Sequence, residues 1–368
     1  MSVHIPQQWS EATECIANNS DSSDPPIAFI CGPNSCGKTT FSLHLVNFLL
    51  QSHNKVAYLD TDAGQTVFTP PGFLSLTVID RSIPDLKSPS LKTPERCFFY
   101  GDISPKNDPE MYLSCIFNLF DHYLKEHRMK NDTNCRDAGL PLVINTHGWV
   151  KVSLMFYNIG VGYEVLEDMI KYMSPTHVVK IQISSKAKNL PAGAFWMSEG
   201  IMDTSHLIEM KAVAEDLLYR SVHVQKDHRV SRLMEYFRQC FLSDKNLSRT
   251  ELCRAIIAHP PYEVPISIFE VKHLYCEVAA TEIYRSLNAT IVGLAISSKV
   301  SFRLSRCVGL GLVRSVDPEK GMLYIVTPVP QRYLVDVDLL LQGLIQIPQC
   351  LLEASGHVSP YMSPDVIS

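Results

Sequence analysis

A glycine-bounded loop between residues 32 and 40 constrains the fold of this chain more than any other stretch. It follows an apolar run at residues 27–30 and precedes a helix-forming run at residues 41–51. The loop matches G-x-x-x-x-G-K-[ST], in which backbone N–H groups and a helix N-terminus surround phosphates. Lys38 is predicted to reach the β and γ oxygens, and Thr39 to hold Mg²⁺. The predicted phosphate-binding loop (P-loop) consists of Gly32, Pro33, Asn34, Ser35, Cys36, Gly37, Lys38, Thr39 and Thr40.

Composition restricts the class of protein. A chain of 368 residues, 46% of them hydrophobic, can bury a large core and suggests two domains. It contains no apolar run long enough for a membrane span, and its first 26 residues carry no Lys or Arg, so we expect no membrane segment and no targeting peptide. Eleven cysteines without a C-x-x-C pair argue against zinc and fit a reducing compartment. The net charge of −5 means that nucleic-acid binding needs a local basic face.

Two carboxylates follow the next apolar run. Residues 55–60 predict a strand that ends in Asp60, and Asp62 lies two residues further on. Ligands of open α/β sheets bind beyond the carboxyl ends of the strands, and residues two apart on an extended chain point the same way. We therefore expect Asp60 and Asp62 to face the phosphates and their Mg²⁺.

The later pattern alternates strands and helices. Apolar runs predict further strands, and helical spacing of apolar residues predicts helices between them, at residues 110–127 and 162–173. An α/β fold with a P-loop and a mainly parallel sheet covered by helices follows from this alternation. The predicted strands lie at residues 73–79, 97–100, 142–146 and 177–183.

The sequence pattern predicts a chain organised in four parts. A flexible leader (1–23) precedes a P-loop domain (24–250), which contains a helical lid insertion at about 186–250. After residue 250, β-type patterns predict a smaller β-rich C-terminal domain (251–355). The last residues (356–368) are predicted to form a loose tail. Between Tyr219 and Arg254 eight basic residues stand against four acidic ones, which suits a lid over phosphates or a path for nucleic acid.

Two further motifs carry a family resemblance. The stretch 60–65 spells D-T-D-A-G-Q, and residues 146–149 spell T-H-G-W. With the P-loop, with Pro-Tyr-Glu-Val-Pro at 261–265 and with the stretch 287–294, they make the chain resemble the polynucleotide 5′-hydroxyl kinases of RNA processing. It looks most like the nucleolar branch that acts on pre-ribosomal RNA, and the resemblance covers residues 24–340.

The resemblance implies transfer of the γ-phosphate of ATP to the 5′-hydroxyl of an RNA end. In that scheme Lys38 stabilises the β and γ phosphates, Thr39 ligates Mg²⁺, and Asp60 orders the metal or its waters. Asp62 is the base that takes the proton of the 5′-hydroxyl, and the reverse allocation of Asp60 and Asp62 is left open. Gln65 is expected to hold the substrate backbone. The implied clamp on the RNA end consists of Thr146, His147, Gly148 and Trp149. Arg229 and Arg232 are the best matches to the paired lid arginines of the family, with Arg220 as an alternative.

The resemblance also implies a location and a partner. Nucleolar members work in the nucleus and nucleolus with an endonuclease whose cut leaves the 5′-hydroxyl. Members commonly carry a β-rich domain before the kinase domain, where this chain has about 26 residues, so a role for such a domain in RNA or partner binding is in doubt. Two alternatives remain open: a P-loop ATPase or GTPase switch, disfavoured for GTP because Ser-Ser-Lys-Ala-Lys stands at 184–188 instead of N-K-x-D, and a non-catalytic scaffold in an RNA-processing complex.

Overall fold

The computed structural model describes residues 5–18, 24–128, 139–149, 161–185, 188–197, 205–213, 222–241 and 247–352. The chain packs as two compact units. The first comprises Met1–Phe68, Leu74–Arg96 and Ser104–Gln225, and the second comprises Thr69–Phe73, Cys97–Ile103 and Lys226–Ser368.

A seven-stranded sheet is built on the first part of the chain, with strand order β4-β3-β2-β5-β1-β6-β7. Its strands are β1 (Ile27–Cys31), β2 (Val56–Asp60), β3 (Phe73–Ile79), β4 (Arg96–Phe99), β5 (Leu142–Asn145), β6 (His177–Gln182) and β7 (His206–Lys211). Strands β2, β5, β1, β6 and β7 pair in parallel, and β3 pairs antiparallel with β2. Every residue of β1, β2 and β5 is buried, as expected for a parallel sheet covered on both faces. The predicted mainly parallel α/β fold is confirmed.

The helices of the first unit are α1 (Gln7–Ala17), α2 (Lys38–Leu49), α3 (Pro109–Tyr123) and α4 (Val161–Met173). Local signals explain the start of α3. The Asp108 carboxylate accepts a hydrogen bond from the Met111 N–H (3.0 Å), and Pro109 occupies the first helical position, where no N–H is needed. The side chains that α3 buries, among them Met111, Cys115 and Leu119, recur at helical spacing, as the sequence predicted.

Helix α1 differs from the predicted flexible leader. Residues 7–17 form a helix whose Trp9, Ala12, Thr13 and Ile16 are buried, and Trp9 packs edge-on against Phe41 of α2. Burial of a tryptophan and an isoleucine on one helical face outweighs the polar composition of the segment. The remainder of the predicted leader, residues 1–4 and 19–23, lies outside the described residues.

The second unit is built on a six-stranded sheet, ordered β8-β12-β11-β10-β13-β9, which confirms the predicted β-rich C-terminal domain. Its strands are β8 (Tyr262–Pro265), β9 (Glu270–His273), β10 (Thr290–Ile296), β11 (Arg306–Asp317), β12 (Met322–Val326) and β13 (Leu339–Gln342). Its helices are α5 (Val222–Arg238), α6 (Arg249–Ala258), α7 (Gln331–Leu334) and α8 (Gln349–Leu352). All pairings are antiparallel except β13 with β9.

The units divide at Gln225, earlier than the predicted boundary at residue 250. Helix α5 belongs with the second unit because the Tyr236 hydroxyl on it accepts a hydrogen bond from the Leu310 N–H of β11 (2.8 Å). Strand β7 was not predicted, and it lies within the region at 186–250 that was predicted as a helical lid insertion. The predicted tail at 356–368 lies outside the described residues. Within the part of the chain described here, no helix is both long and apolar enough to cross a membrane.

Candidate active site

Three predicted motifs meet at one edge of the parallel sheet. The P-loop follows β1, the D-x-D-x-G-Q loop follows β2, and the T-x-G-W segment follows β5, which lies between the other two strands. The carboxyl ends of parallel strands share a sheet edge, so the three segments are neighbours there. The backbone N–H and the hydroxyl of Thr61 both donate to the Asn145 carbonyl (2.9 Å each), and the Thr146 hydroxyl donates to the Ile30 carbonyl (2.8 Å).

The Lys38 ammonium is the main positive charge of the P-loop. It is 6% exposed, and its Nζ donates to the backbone carbonyls of Pro33 (2.9 Å) and Gly32 (3.1 Å). Within the described residues it forms no ion pair with a carboxylate. A buried ammonium held only by carbonyls is a favourable place for an anion. The hydroxyl of Thr39 stands in the first turn of α2, where N–H groups also point outward.

Helix α1 supports the P-loop from behind. Gly37 has φ +100°, a left-handed conformation, and a Cβ on it would lie 2.8 Å from the ring of Trp9. The Trp9 indole N–H donates to the Lys211 carbonyl of β7 (3.1 Å), which fixes the ring. The turn into α2 therefore requires glycine for its backbone and for its contact with Trp9.

Asp60 is enclosed at the end of β2. Its Oδ2 accepts from the Val67 N–H (2.7 Å), and its Oδ1 accepts from the Asn145 amide (3.1 Å) and the Asp62 N–H (3.3 Å). Burial raises the pKa of Asp60 to about 7, against the opposing effect of these donors. Asp60 thus holds the loop 61–67 in shape, and a nearby cation would keep it ionised.

Asp62 is in a different environment from Asp60. It is partly exposed, and its Oδ1 accepts from the N–H groups of Gly64 (3.1 Å) and Gln65 (3.0 Å). These bonds form the turn that carries Gln65, which is also partly exposed. Of the two carboxylates, Asp62 is the one that solvent and a substrate can reach.

The T-x-G-W segment combines a buried imidazole with a partly exposed indole. His147 is 4% exposed; its Nδ1 accepts from the Trp149 N–H (3.2 Å), while its Nε2 is buried without a hydrogen-bond partner among the described residues. Burial, and then the charge of Lys38, lower the pKa of His147 to about 3, so its ring is neutral at physiological pH. Trp149 is only partly buried, so part of its ring stays accessible.

Gly148 joins this segment to the P-loop. A Cβ on Gly148 would collide with the Asn34 side-chain oxygen and would lie 2.7 Å from the Asn34 Cα. The segment after β5 therefore lies directly on the exposed tip of the P-loop, and only glycine permits this approach.

Tyr112 contacts both the segment that follows β2 and the segment that follows β5. Its hydroxyl donates to the Thr61 carbonyl (2.5 Å), and its ring meets His147 edge-on with centroids 5.6 Å apart. Tyr112 lies on the buried face of α3, and no sequence motif marks it. Asn145 was also missed, although it directly precedes the T-x-G-W motif; its Oδ1 is buried without a partner among the described residues.

The predicted lid arginines lie on α5, in the second unit. Arg232 is buried and donates to the Glu235 carboxylate one turn further on (2.8 Å), whereas Arg229 is partly exposed. The alternative, Arg220, lies outside the described residues. The lid role of these arginines stays a prediction.

The donor set suits Mg²⁺ with a triphosphate. Mg²⁺ prefers oxygen ligands and usually takes one or two from protein while sharing phosphate oxygens and water. Oxygen donors of this kind gather here: the Thr39 hydroxyl, the Asp60 and Asp62 carboxylates, and the unpartnered Asn145 Oδ1. No cluster of three or more His, Cys, Asp or Glu side chains that could hold a metal occurs among the described residues.

A P-loop, two carboxylates and a partly exposed aromatic at one sheet edge are the arrangement of a P-loop phosphotransferase. Comparison with known proteins specifies the family. A family model described as the P-loop of the mRNA cleavage and polyadenylation factor CLP1 matches residues 32–239, and one described as the NOL9-like C-terminal domain matches residues 257–348. The chain belongs to the polynucleotide 5′-hydroxyl kinase family, and the predicted resemblance is confirmed.

Relatives and solved structures agree with this placement. The chain is 50% identical over 369 residues to polynucleotide 5′-hydroxyl-kinase NOL9 of Arabidopsis thaliana, covering 99% of this chain and 97% of that protein. It is 31% identical to the Danio rerio NOL9 and 28% identical to the Homo sapiens NOL9, covering 92% of this chain in each case and 49% and 52% of those proteins. The chain therefore spans about half the length of these animal relatives. A solved Clp1p–Pcf11p structure has the same fold (TM-score 0.64, 17% identity, 94% of this chain and 81% of that chain).

Proposed function

We propose that this chain transfers the γ-phosphate of ATP to the 5′-hydroxyl of an RNA end. The observation that supports this most is the contact of Gly148 with Asn34, because it joins an acceptor-type segment to the phosphate loop. A nucleotide switch needs the phosphate loop alone. A transferase needs donor and acceptor groups in one site, held in line.

On the donor side, the residues bind and neutralise phosphate. Lys38 exchanges its Gly32 and Pro33 carbonyl partners for β and γ oxygens, and the N–H groups at the start of α2 bind the remaining oxygens. Mg²⁺, when bound, offsets the negative charge of the triphosphate. Thr39 and Asp60 would hold the ion, and Asn145 positions Asp60 through its amide.

On the acceptor side, Asp62 takes the proton of the 5′-hydroxyl. Its partial exposure and its place beside the turn to Gln65 favour it over the enclosed Asp60. Gln65 contacts the substrate backbone. The proton leaves the hydroxyl oxygen as that oxygen bonds to phosphorus, and the ADP oxygen leaves on the opposite side.

The clamp holds the RNA end beside these groups. Trp149 stacks on a base, which contributes on the order of 1–3 kcal/mol without demanding a particular base. Thr146 and His147 fix the segment: Thr146 binds the Ile30 carbonyl, and neutral His147 accepts the Trp149 N–H. The resemblance to the family assigns Arg229 and Arg232 the supply of positive charge to the transferring phosphate.

The biological setting follows the relatives named NOL9. We place the reaction in pre-ribosomal RNA processing in the nucleolus, downstream of an endonuclease that leaves a 5′-hydroxyl. That endonuclease is the expected partner.

A comparison of two RNA acceptors tests the proposal. The full chain is incubated with γ-labelled ATP, Mg²⁺ and an RNA oligonucleotide carrying a 5′-hydroxyl, beside the same RNA carrying a 5′-phosphate. Label is expected on the first RNA only. Release of labelled phosphate without labelled RNA would show an ATPase instead, and no ATP turnover would favour a scaffold.

A further inference from the structure

Lys106 lies beside the clamp. It precedes α3 in the loop that ends at the Asp108 cap, and its Nζ lies 5.2 Å from the centroid of the Trp149 ring, within cation–π range. The side chain of Lys106 is exposed, and among the described residues no carboxylate forms an ion pair with it. An ammonium placed in this way remains available to an anion.

Helices α3 and α4 fix the positions of Lys106 and Trp149. A Cβ on Gly162 would lie 2.7 Å from Cδ2 and 3.0 Å from Cγ of Trp149, two ring carbons that bear no hydrogen, so the backbone of α4 supports the face of the indole. Helix α3 is anchored a few residues beyond Lys106 by the Tyr112 contacts with Thr61 and His147. Lys106, Trp149 and the Asp62 loop therefore all lie near the N-terminal end of α3.

We propose that Lys106 binds the first internucleotide phosphate of the acceptor RNA, so that the clamp reads a base and its 3′ phosphate together. This inference rests on the proposed function. A base that stacks on Trp149 displaces the ammonium from its place over the ring, and the flexible four-carbon stem of lysine lets the charge move to the phosphate next to that base. The acceptor is therefore a polynucleotide end, and a free nucleoside lacks the group that Lys106 binds.

The substitution Lys106→Met tests this contact, because it removes the charge and keeps an unbranched chain over the ring. We expect the KM for 5′-hydroxyl RNA to rise about three- to tenfold, with the KM for ATP unchanged. The log–log salt dependence of RNA binding should become shallower by about 0.7, as for one lost phosphate contact on a single strand. Lys106→Arg should restore both values.

The control is Lys125→Met. Lys125 is an exposed lysine just beyond the opposite end of α3, with 81% of its side chain exposed. The same change of charge at that position should leave the RNA KM and the salt slope at the parent values. A loss there equal to that of Lys106→Met would indicate a general charge effect and would overturn the assignment.

A neutral methylphosphonate at the first internucleotide linkage locates the contact. Its effect on KM and that of Lys106→Met should not add, because both remove the same interaction. Additive losses, or a Lys106→Met variant with parent KM and slope, would refute the role of Lys106 while leaving kinase activity established. A parent protein that labels no RNA would refute the proposed function instead.

Discussion

Gly148 lies against Asn34 so closely that the segment after β5 and the tip of the P-loop share one surface. This contact couples a residue of the proposed acceptor clamp to a residue of the donor loop. Any side chain at position 148 would force the two segments apart, and ATP and RNA would then no longer be held in line.

The variant Gly148→Ala tests the coupling. Overpacking against the Asn34 backbone should cost about 1–3 kcal/mol. We expect it either to lower the free energy of unfolding or to displace the P-loop. We expect kcat/KM for RNA to fall at least about tenfold, since a 1 Å misplacement alone can lower the rate about a hundredfold. ATP affinity, measured by calorimetry, should fall as well.

The matched control is Gly321→Ala in the β11–β12 turn, where a Cβ would have no neighbour within 4 Å. Because φ is +64° there, the substitution strains the backbone by about 1–2 kcal/mol without touching the site. It should lower the melting temperature and leave turnover unchanged. Parent-like activity in Gly148→Ala would show that the contact is dispensable.

Substitution of Asp62 and substitution of Asp60 should have different effects. Asp62→Asn keeps an oxygen that can accept from the Gly64 and Gln65 N–H groups, so the fold and ATP binding should persist while kcat falls by about 10²-fold or more. Asp60→Asn places an amide among three donors and should also lower stability. Single-turnover kinetics and urea unfolding measure the two effects. An Asp62→Asn enzyme with parent kcat would assign the base elsewhere.

Tyr112→Phe should separate positioning from folding. It removes the hydrogen bond to the Thr61 carbonyl and leaves the ring beside His147. We expect kcat to fall about three- to tenfold, because Thr61 no longer fixes Asp62, with the KM for ATP unchanged.

Tyr123→Phe is the control on the same helix, since Tyr123 is equally buried and donates to the Leu140 carbonyl (2.6 Å). The two variants should lose similar free energies of unfolding, but only Tyr112→Phe should lose turnover. Equal loss of turnover in both would reduce Tyr112 to a stabilising residue.

His147 predicts a pH dependence of stability. Its pKa is lowered to about 3 in the folded protein, so between pH 6.5 and pH 3 the unfolded state binds the extra proton. The stability associated with neutral His147 is therefore present above pH 6.5 and is lost as pH falls, by about 2 kcal/mol between pH 7 and pH 5. Urea unfolding of the parent and of His147→Gln at both pH values checks this: the parent should lose more stability than the variant. Equal losses would mean that His147 is not buried as a neutral ring.

Much of the site could be predicted because its signals are local in sequence. The P-loop residues, Asp60, Asp62 and residues 146–149 each stand beside a strand end, where short motifs are recognisable. Tyr112 and Lys106 could not be predicted, because their importance depends on α3 passing beside β2 and β5, a relationship set by long-range topology. Helix α1 was missed since its polar residues masked the Trp9 and Ile16 face, and β7 because a short, half-exposed strand has little apolar pattern.

The most direct test of the central claim compares the parent with Lys38→Ala. Both are incubated with γ-labelled ATP, Mg²⁺ and a 5′-hydroxyl RNA, and label at the RNA 5′ end is followed with time. Because Lys38 is the buried ammonium of the P-loop, the account predicts labelled RNA from the parent and at least about a hundredfold less from the variant. Unlabelled RNA from the parent, or undiminished labelling by Lys38→Ala, would contradict it.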